Sequence, residues 1–505
     1  MSQTLSAEQK RYEQHGPFRT LMQLSVGPVI YMVGIAIHDA IDLMLISKAY
    51  TETEVTIVGF ASTVRYLCMA ANIYFSIACV ARTSGLIGAN EYDKAAQVIA
   101  DLYRLAFASM IVIPIICYFI ASPLLKYMGC SADMAVEACK YLIPELCFMP
   151  LISTFQMSCG LLQAEGRSIL AGLMQFTAFV LNCGCFGPLL LFGVKVSFKF
   201  AGVAFALSQS IPGIVLTSLI FSRKFKTITS WSNLIKKPIY DTYVGLKIAT
   251  PYILNVIMGL FPPLVAINLM STAAVSQGLI AQCGPCLSVF FKIQPLVNCF
   301  SIAFGQGLLG PGSYAFSRKN YDRVKKLFFI ALAASMIPQI IWMAVLIAAP
   351  VSVAKIWLSD EATLDYAKIM IPKPFYTNWT TGVNEIVTAL LQCLGFAWTA
   401  MSPSIVRGIF YIVYGLILYY TNKNDSVRMI YTYCLNDTTI LILDLIIVIK
   451  PLIELFRNHD FIDNKDDSKE ESGNKSETKE DTTTTTTPTS ATAQYNESDR
   501  PLEEL

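Results

Sequence analysis

Long apolar stretches separated by short polar segments run through most of the chain. Each stretch has about 20 residues or more, the length that a helix needs to cross the hydrocarbon core of a bilayer. The segments between them are too short to form a soluble domain. The pattern therefore predicts an all-α membrane protein with twelve transmembrane helices, near residues 21–46, 55–80, 99–120, 139–159, 169–193, 201–222, 248–271, 285–311, 327–349, 366–392, 399–420 and 430–455.

The longest polar segment inside the chain lies between the sixth and seventh predicted spans and is rich in Lys and Arg. We take it as the boundary between two six-helix lobes. The end of the chain consists mainly of Asp, Glu, Lys, Ser and Thr, a composition that buries too little apolar surface to fold. The expected parts are a cytosolic N-terminal segment, an N-lobe, a cytosolic loop, a C-lobe and a disordered acidic cytosolic tail, at 1–20, 21–222, 223–247, 248–456 and 457–505.

Short sequence matches recur between the two predicted halves at a nearly constant spacing. The segment 90–94 recurs at 319–323, which places Tyr92 and Tyr321 229 residues apart, and other matches lie between about 225 and 229 residues apart. Such a series in one order indicates a tandem duplication. Because each repeat holds an even number of spans, the two lobes enter the membrane from the same side. They are then related by a pseudo-twofold axis along the membrane normal.

Composition and charge agree with a membrane location. The chain is 54% hydrophobic and 15% charged, whereas soluble domains carry roughly 25% charged residues. The net charge of +2 implies no nucleic-acid partner. The first 20 residues lack an apolar core, so we expect no cleavable signal peptide. Loops on one side hold about sixteen basic residues against about seven on the other, which predicts cytosolic termini in a plasma or organellar membrane.

Three sequence stretches resemble the multidrug and toxic compound extrusion (MATE) transporters, at residues 84–95, 162–167 and 293–325. The resemblance covers roughly residues 20–450. It implies a V-shaped pair of lobes that exports organic, often cationic, compounds against an inward flow of protons or sodium. We therefore expect a monomer in membrane lipid that takes a small organic substrate and a coupling ion, that requires no cofactor and that is not an enzyme.

Two carboxyl groups in the first predicted span are candidates for ion coupling. Asp39 and Asp42 are three residues apart and share a helix face. Acids in hydrocarbon are functional candidates by default, and two neighbouring carboxyls disfavour double ionisation, so the pair can hold a proton near neutral pH. The stretch resembles the family's first-helix Asn-x-x-Asp motif, with Asp42 on its coupling aspartate. The opposing interpretation is that Arg65 pairs with Asp39 and leaves no free carrier.

The fifth and seventh spans depart from the family pattern. In the fifth, Gly187 stands where the family has an aspartate, and Asn182 is shifted by one residue, so Asn182 is kept as a polar contact to substrate or ion. The seventh span, 248–271, has no acid, although sodium-type members often carry a glutamate there. The departure weakens a sodium mechanism.

The predicted tenth span supplies the candidates of the C-lobe. Glu385, beside Asn384, is expected to contact substrate or ion, with pairing to Lys373 as the alternative. Lys292 and Asp444 are placed nearer helix ends, where we expect them to reach water. Arg65 and Lys292 are the interior basic residues that this interpretation counts.

The sequence leaves more than one function open. An ion-coupled antiporter, with protons favoured over sodium, explains the duplicated lobes and the membrane acids. A lipid-linked precursor flippase of the same superfamily has the same geometry but requires several basic residues in the cleft. A scaffold or receptor leaves the duplication unexplained. With 3 His in the chain, no metal cluster of an intramembrane enzyme is visible.

Overall fold

The computed structural model describes residues 7–50, 52–127, 131–224, 227–358, 360–423 and 425–457. The described residues form α-helices α1 to α16 and no β-strand. In chain order the helices are Ala7–Glu13, Pro17–Ala49, Glu52–Gly88, Tyr92–Tyr127, Ala132–Ala164, Ser168–Leu181, Val203–Phe221, Tyr240–Ser276, Ile280–Ser317, Tyr321–Ala348, Pro350–Ala354, Glu361–Met370, Trp379–Cys393, Ala397–Thr421, Ser426–Met429 and Tyr431–Arg457. Apart from Arg457, the predicted acidic tail lies outside the described residues.

Ten helical segments of the described chain are long and apolar enough to cross a membrane. They correspond to the predicted spans except the tenth and the twelfth. The tenth is replaced by α12, the 3-10 turn Lys373–Phe375 and α13, none longer than 15 residues. The twelfth coincides with α16, which is 27 residues long and buries Asp437 and Asp444. Ten spans are thus supported, and the count of twelve stays a prediction.

Several helices begin earlier than the apolar windows suggest. α2 begins at Pro17 and α8 at Tyr240, whereas the sequence placed the corresponding spans from 21 and 248. Proline at the first helical position favours the earlier start of α2, because its missing N–H is not needed there. The helices therefore extend beyond the apolar core into the polar layer.

The helix boundaries show the same spacing as the sequence repeat. α4 and α10 begin at Tyr92 and Tyr321, and α5 and α13 end at Ala164 and Cys393. Each pair is 229 residues apart, the spacing of the sequence matches. The duplicated segments thus fold into the same order of helices, which supports the division into two halves.

Helices of the two halves pack directly against one another. α2 packs against α9, and α3 packs against both α8 and α9. At the end of the bundle where α2 begins, Arg82 of α3 forms an ion pair with Asp241 of α8. Close by, the side-chain amide of Gln163 donates to the carbonyl of Gln306 at 3.0 Å. The halves are therefore in direct contact at the end that the basic residues assign to the cytosol.

Candidate functional site

A break in the fifth span places Asn182 beside α2. α6 ends at Leu181 and is followed by two π-helical segments, Asn182–Phe186 and Leu189–Val194, on either side of Gly187 and Pro188. Proline removes a backbone donor, and π-helical turns are frequent at functional sites. A Cβ at Gly187 would lie 2.7 Å from the Asn182 carbonyl oxygen, so the turn requires glycine.

Asn182 connects two side chains of α2. Its side-chain nitrogen lies 3.3 Å from Asp42 Oδ1 and 2.6 Å from His38 Nε2. His38 and Asn182 are buried, and the His38 ring packs against Phe179 and Phe205. His38 and Asp42 are four residues apart and share a helix face. The structure thus brings together two residues that the sequence singled out, and adds a histidine that it did not.

Arg65 binds a glutamate of α5. Its Nη1 lies 3.2 Å from Glu145 Oε1, and the Tyr141 hydroxyl donates to the same oxygen at 3.2 Å. Among the described residues, no cationic group lies within 4.0 Å of the Asp42 carboxylate. The side chain of Asp39 lies outside the described part, so its predicted role and its predicted pairing with Arg65 stay predictions.

Sequence reasoning missed Glu145, Tyr141 and His38. A signal was available for Glu145, because it is an acid inside the apolar window of the fourth span and the same rule had selected Asp42. No comparable signal identified Tyr141 or His38, since a lone aromatic residue in an apolar helix is usually core.

The second half holds a hydrogen-bonded chain of acids and amides around one arginine. Arg407 of α14 donates to Asn255 Oδ1 at 3.0 Å and to Asn384 Oδ1 at 2.8 Å. Asn255 in turn donates to Glu385 Oε1 at 3.3 Å, and Asn384 donates to Asp444 Oδ2 at 3.1 Å. Glu385 is thus bonded to an amide of α8, not to the lysine considered as its alternative partner.

Two sequence predictions about this region are wrong. Asp444 is fully buried and bonded to Asn384, because α16 runs unbroken past it and places it near the middle of a 27-residue helix. The interior also contains a basic residue that was not counted, Arg407. Lys292, which was counted as an interior basic residue, is exposed.

A small polar cavity of about 60 Å³ adjoins this network. Asp437 lines it and accepts a hydrogen bond from the Thr377 hydroxyl at 3.3 Å. The buried hydroxyl of Tyr433 faces the same space without a hydrogen-bond partner among the described residues. A cavity of this size and polarity has room for water molecules.

Glu385 also lies near tyrosines of the inter-half contact. Tyr66 of α3 and Tyr252 of α8 are both within electrostatic range of its carboxylate. Tyr66 belongs to the first half and is about half exposed. The Glu385 carboxylate therefore acts electrostatically on side chains of both halves.

Comparison with known proteins agrees with this architecture. Residues 29–185 match the MatE family, a stretch that contains Asp42, Glu145 and Asn182. The predicted resemblance to the MATE transporters is confirmed. The described helices thus form a MATE-like fold. Among curated proteins, none matches the sequence closely enough to count as a relative.

Solved structures extend the MATE-like assignment to most of the chain. A MOP superfamily transporter from Pyrococcus furiosus, described as having a binding pocket of reversed polarity, has a TM-score of 0.80 at 15% identity and covers 90% of this chain and 99% of its own. An outward-facing multidrug resistance MATE family transporter gives 0.79 at 15% identity over 90% and 99%. The Vibrio cholerae MATE transporter VcmN, as a mutant, gives 0.76 at 15% identity over 87% and 97%. At this identity the likeness is one of fold.

Proposed function

We propose that this protein is a proton-coupled antiporter that exports organic, often cationic, compounds by alternating access of its two halves. The observation that carries the proposal is the environment of Asp42. Its carboxylate lies in a membrane-spanning helix, accepts a hydrogen bond from the neutral Asn182 amide, and has no cation within salt-bridge distance among the described residues. A carboxyl group held in this way can bind and release a proton without first breaking an ion pair.

The interior charge balance supports a cationic substrate. The two charged regions described above contain five acids and two arginines, namely Asp42, Glu145, Glu385, Asp437 and Asp444 against Arg65 and Arg407. Two more acids, Asp101 and Glu165, are buried outside these regions. Both arginines are already bonded within the protein. When ionised, the acids leave an excess of negative charge that attracts organic cations.

Glu385 and its tyrosine neighbours are the proposed substrate contact. A cationic group placed between the halves would meet the Glu385 carboxylate, with Tyr66 and Tyr252 nearby. Tyrosine rings attract cations through the negative face of the π system. The arrangement combines a charge for affinity with aromatic surface that tolerates varied shapes.

Exchange of protons for substrate then follows, because the proton and the organic cation compete for the same interior negative charge. A proton that binds Asp42 from outside neutralises one interior carboxylate, which weakens the hold on a bound cation and favours its release there. When the other side opens, Asp42 loses its proton to the cytosol and the interior regains its charge for the next substrate. Reorientation with a neutral carboxyl avoids the cost of a bare charge in a low-dielectric interior.

The lipid-linked precursor flippase is the second candidate. The finding of Arg407 raises the number of interior basic residues, which such a flippase would need to bind an anionic headgroup. The described acids nevertheless outnumber the arginines, and Arg407 is engaged with two asparagines. The charge balance therefore favours export of cations.

A sodium-coupled exporter is the third candidate function. Hard cations such as sodium prefer several oxygen ligands. The described partner of Asp42 is instead the amide of Asn182, which in turn contacts the imidazole of His38. These groups suit the transfer of a proton better than the binding of a metal ion.

Transport by the purified protein in liposomes tests the proposal. A fluorescent organic cation should move against its gradient when a proton gradient is imposed, and should not respond to a sodium gradient alone. Response to sodium alone would favour the sodium mechanism. Movement of a fluorescent lipid-linked anion, with none of the cation, would favour the flippase.

A further inference from the structure

One carboxylate oxygen of Glu145 has no hydrogen-bond partner among the residues that the structure describes. Glu145 lies near the middle of α5 and is fully buried. Its Oε1 accepts from Arg65 and from Tyr141, while its Oε2 has no hydrogen-bond partner in the described part of the chain. A Cβ at Gly202 would come 2.6 Å from Oε1, so backbone packs closely against this side chain. If Glu145 is ionised here, one of its oxygens has no hydrogen-bond donor among the described residues.

The charged and titratable groups around Glu145 include the proposed coupling residue. Arg65 on α3, Asp42 on α2 and Tyr141 on α5 all act electrostatically on it, and Cys68 on α3 lies within range. Asp42 and Glu145 are therefore two acids within electrostatic range of each other, and Arg65 forms an ion pair with Glu145. When one of the two acids takes up a proton, the other is freed from the repulsion of its negative charge.

Resting on the function proposed above, we propose that Glu145 is a second proton-carrying residue of the first-half site, linked to Asp42 by the electrostatic repulsion between the two carboxylates. A proton on Oε2 removes the charge from the unpartnered oxygen, while Oε1 keeps its two donors. The two acids then load and release protons in a linked way. The number of protons exchanged per substrate exceeds what Asp42 alone supplies.

Proton release on substrate binding tests this role. The number released by the purified protein is measured by titration calorimetry in buffers of different ionisation enthalpy. Glu145→Gln should release fewer protons than the wild type and should show a shallower dependence of substrate accumulation on the proton gradient. Glu137→Gln is the matched control, since Glu137 is an exposed acid on the same helix paired with Lys140.

The outcomes separate the two proposals. Unchanged proton number and unchanged gradient dependence in Glu145→Gln would make Glu145 a structural ion-pair partner and overturn the inference. No proton release by the wild type would instead overturn proton coupling itself. If Glu145→Gln does not fold, Tyr141→Phe keeps the carboxyl, and the infrared band of a protonated Glu145 should shift when its hydroxyl partner is removed. An unshifted band would also contradict the role.

A different observation concerns residues 11–20, here called the N-terminal strap. Two of its side chains bind the end of α5 in the first half. Arg11 donates to the Glu165 carbonyl at 2.7 Å, and the Tyr12 hydroxyl donates to the Ala164 carbonyl at 2.6 Å. Burial, reinforced by the Glu165 carboxylate, raises the pKa of Tyr12 above its usual range. The hydroxyl therefore keeps the proton that it donates.

The second half holds the same strap from the other side. The Tyr12 ring stacks on Tyr314 with 4.6 Å between ring centroids. Arg323 of α10 donates to the His15 carbonyl at 3.0 Å and to the Thr20 hydroxyl at 2.9 Å. Side chains from both halves thus converge on one short segment at the end where α2 begins.

From these contacts we infer that the N-terminal strap is a latch that stabilises the state closed at this end. Separation of the halves there must break either the contacts of Tyr12 with α5 or those with α9 and α10. Loosening the strap should shift the population toward opening at this end and closing at the opposite end. The latch inference does not depend on which ion or substrate is transported.

Hydrogen exchange of the full chain tests the latch. Tyr12→Ala should speed amide exchange severalfold near 80–88 and 310–317, and slow exchange at the opposite helix ends, near 46–50 and 270–279. Phe18→Ala is the matched control, because Phe18 is an aromatic residue of the same strap whose side chain is exposed. Faster exchange at the strap end without slower exchange at the other end would show a local contact and overturn the latch. An unchanged pattern would do the same.

Discussion

The two halves share a fold but place their charges at different positions of it. In the repeat, the Ile-Pro pair at 143–144 matches that at 371–372, so Glu145 of the first half corresponds to Lys373 of the second. With the 229-residue spacing further along, Glu385 of the second half corresponds to Gln156 of the first. Arg407 likewise corresponds to Ala178. Duplication thus supplied the scaffold, and each half holds its own set of ionisable groups. The charged sites must therefore be understood one half at a time.

The connections of those charges differ as well. In the second half, Glu385 and Asp444 are each joined to Arg407 through an asparagine, so one cation supports a continuous chain. In the first half, Asp42 accepts from Asn182, while Arg65 binds Glu145 instead. A carboxyl without a cation can change its proton with little rearrangement. A carboxyl fixed in a network is better suited to present a charge to a substrate.

The largest expected effect is on stability, at the centre of the second-half network. Arg407→Met should lower the free energy of unfolding by about 3–5 kcal/mol, because it leaves buried acids without their cation. Thermal unfolding in detergent measures the loss. Lys373→Met is the control, since Lys373 is a partly buried cation that lies over the Tyr431 ring outside this network. A melting temperature of Arg407→Met equal to that of the control would show that the chain of contacts contributes little.

The next effect concerns the acid proposed to face the substrate. Glu385→Gln should weaken binding of an organic cation roughly 30-fold, since losing one partner of a desolvated charge pair costs about 2 kcal/mol or more. Transport under a proton gradient should persist at saturating substrate. Binding to the purified protein and the concentration dependence of export are the measurements. Loss of proton-driven export by Glu385→Gln with unchanged binding would contradict this assignment. It would instead give the second half the proton-coupling role that is proposed here for the first.

A smaller effect is expected at Asn182. Asn182→Ala removes the amide donor to Asp42, and hydrogen bonds to charged groups contribute about 1.5 kcal/mol or more. The rate of proton-driven export should fall roughly tenfold, with substrate binding unchanged. Asn422→Ala serves as a control at an exposed asparagine that follows α14. If Asn182→Ala exports at the wild-type rate, the contact with Asp42 has no part in coupling.

Much of the fold was predictable because membrane helices can be recognised in a sequence by their length and apolar composition. Ten of the predicted spans coincide with long apolar helices. The tenth does not, because it is broken at the turn that contains Pro372 and Pro374, where each proline removes a backbone donor. Prolines elsewhere lie inside unbroken helices, such as Pro262 and Pro263 of α8. Periodicity and composition thus identify spans but do not show where one is broken.

The site was only partly predictable. Asp42, Glu385 and Asn384 were identified as polar residues in apolar windows, and Asn182 as part of a resembling motif. Partners are set by how helices pack, which a single sequence does not reveal, so the ion pair of Arg65 with Glu145 was not predicted. Asp444 was misplaced because a span with an uncertain end gives an uncertain depth.

Proton-driven transport of an organic cation by the Asp42→Asn variant in liposomes tests the central claim most directly. The asparagine has the size of the protonated carboxyl but cannot release a proton. We predict that accumulation of a fluorescent organic cation driven by a proton gradient is abolished, while the purified variant still binds that cation and Glu385→Gln still accumulates it at saturating concentration. Accumulation by Asp42→Asn at a rate near that of the wild type would contradict the account and place the proton carrier elsewhere.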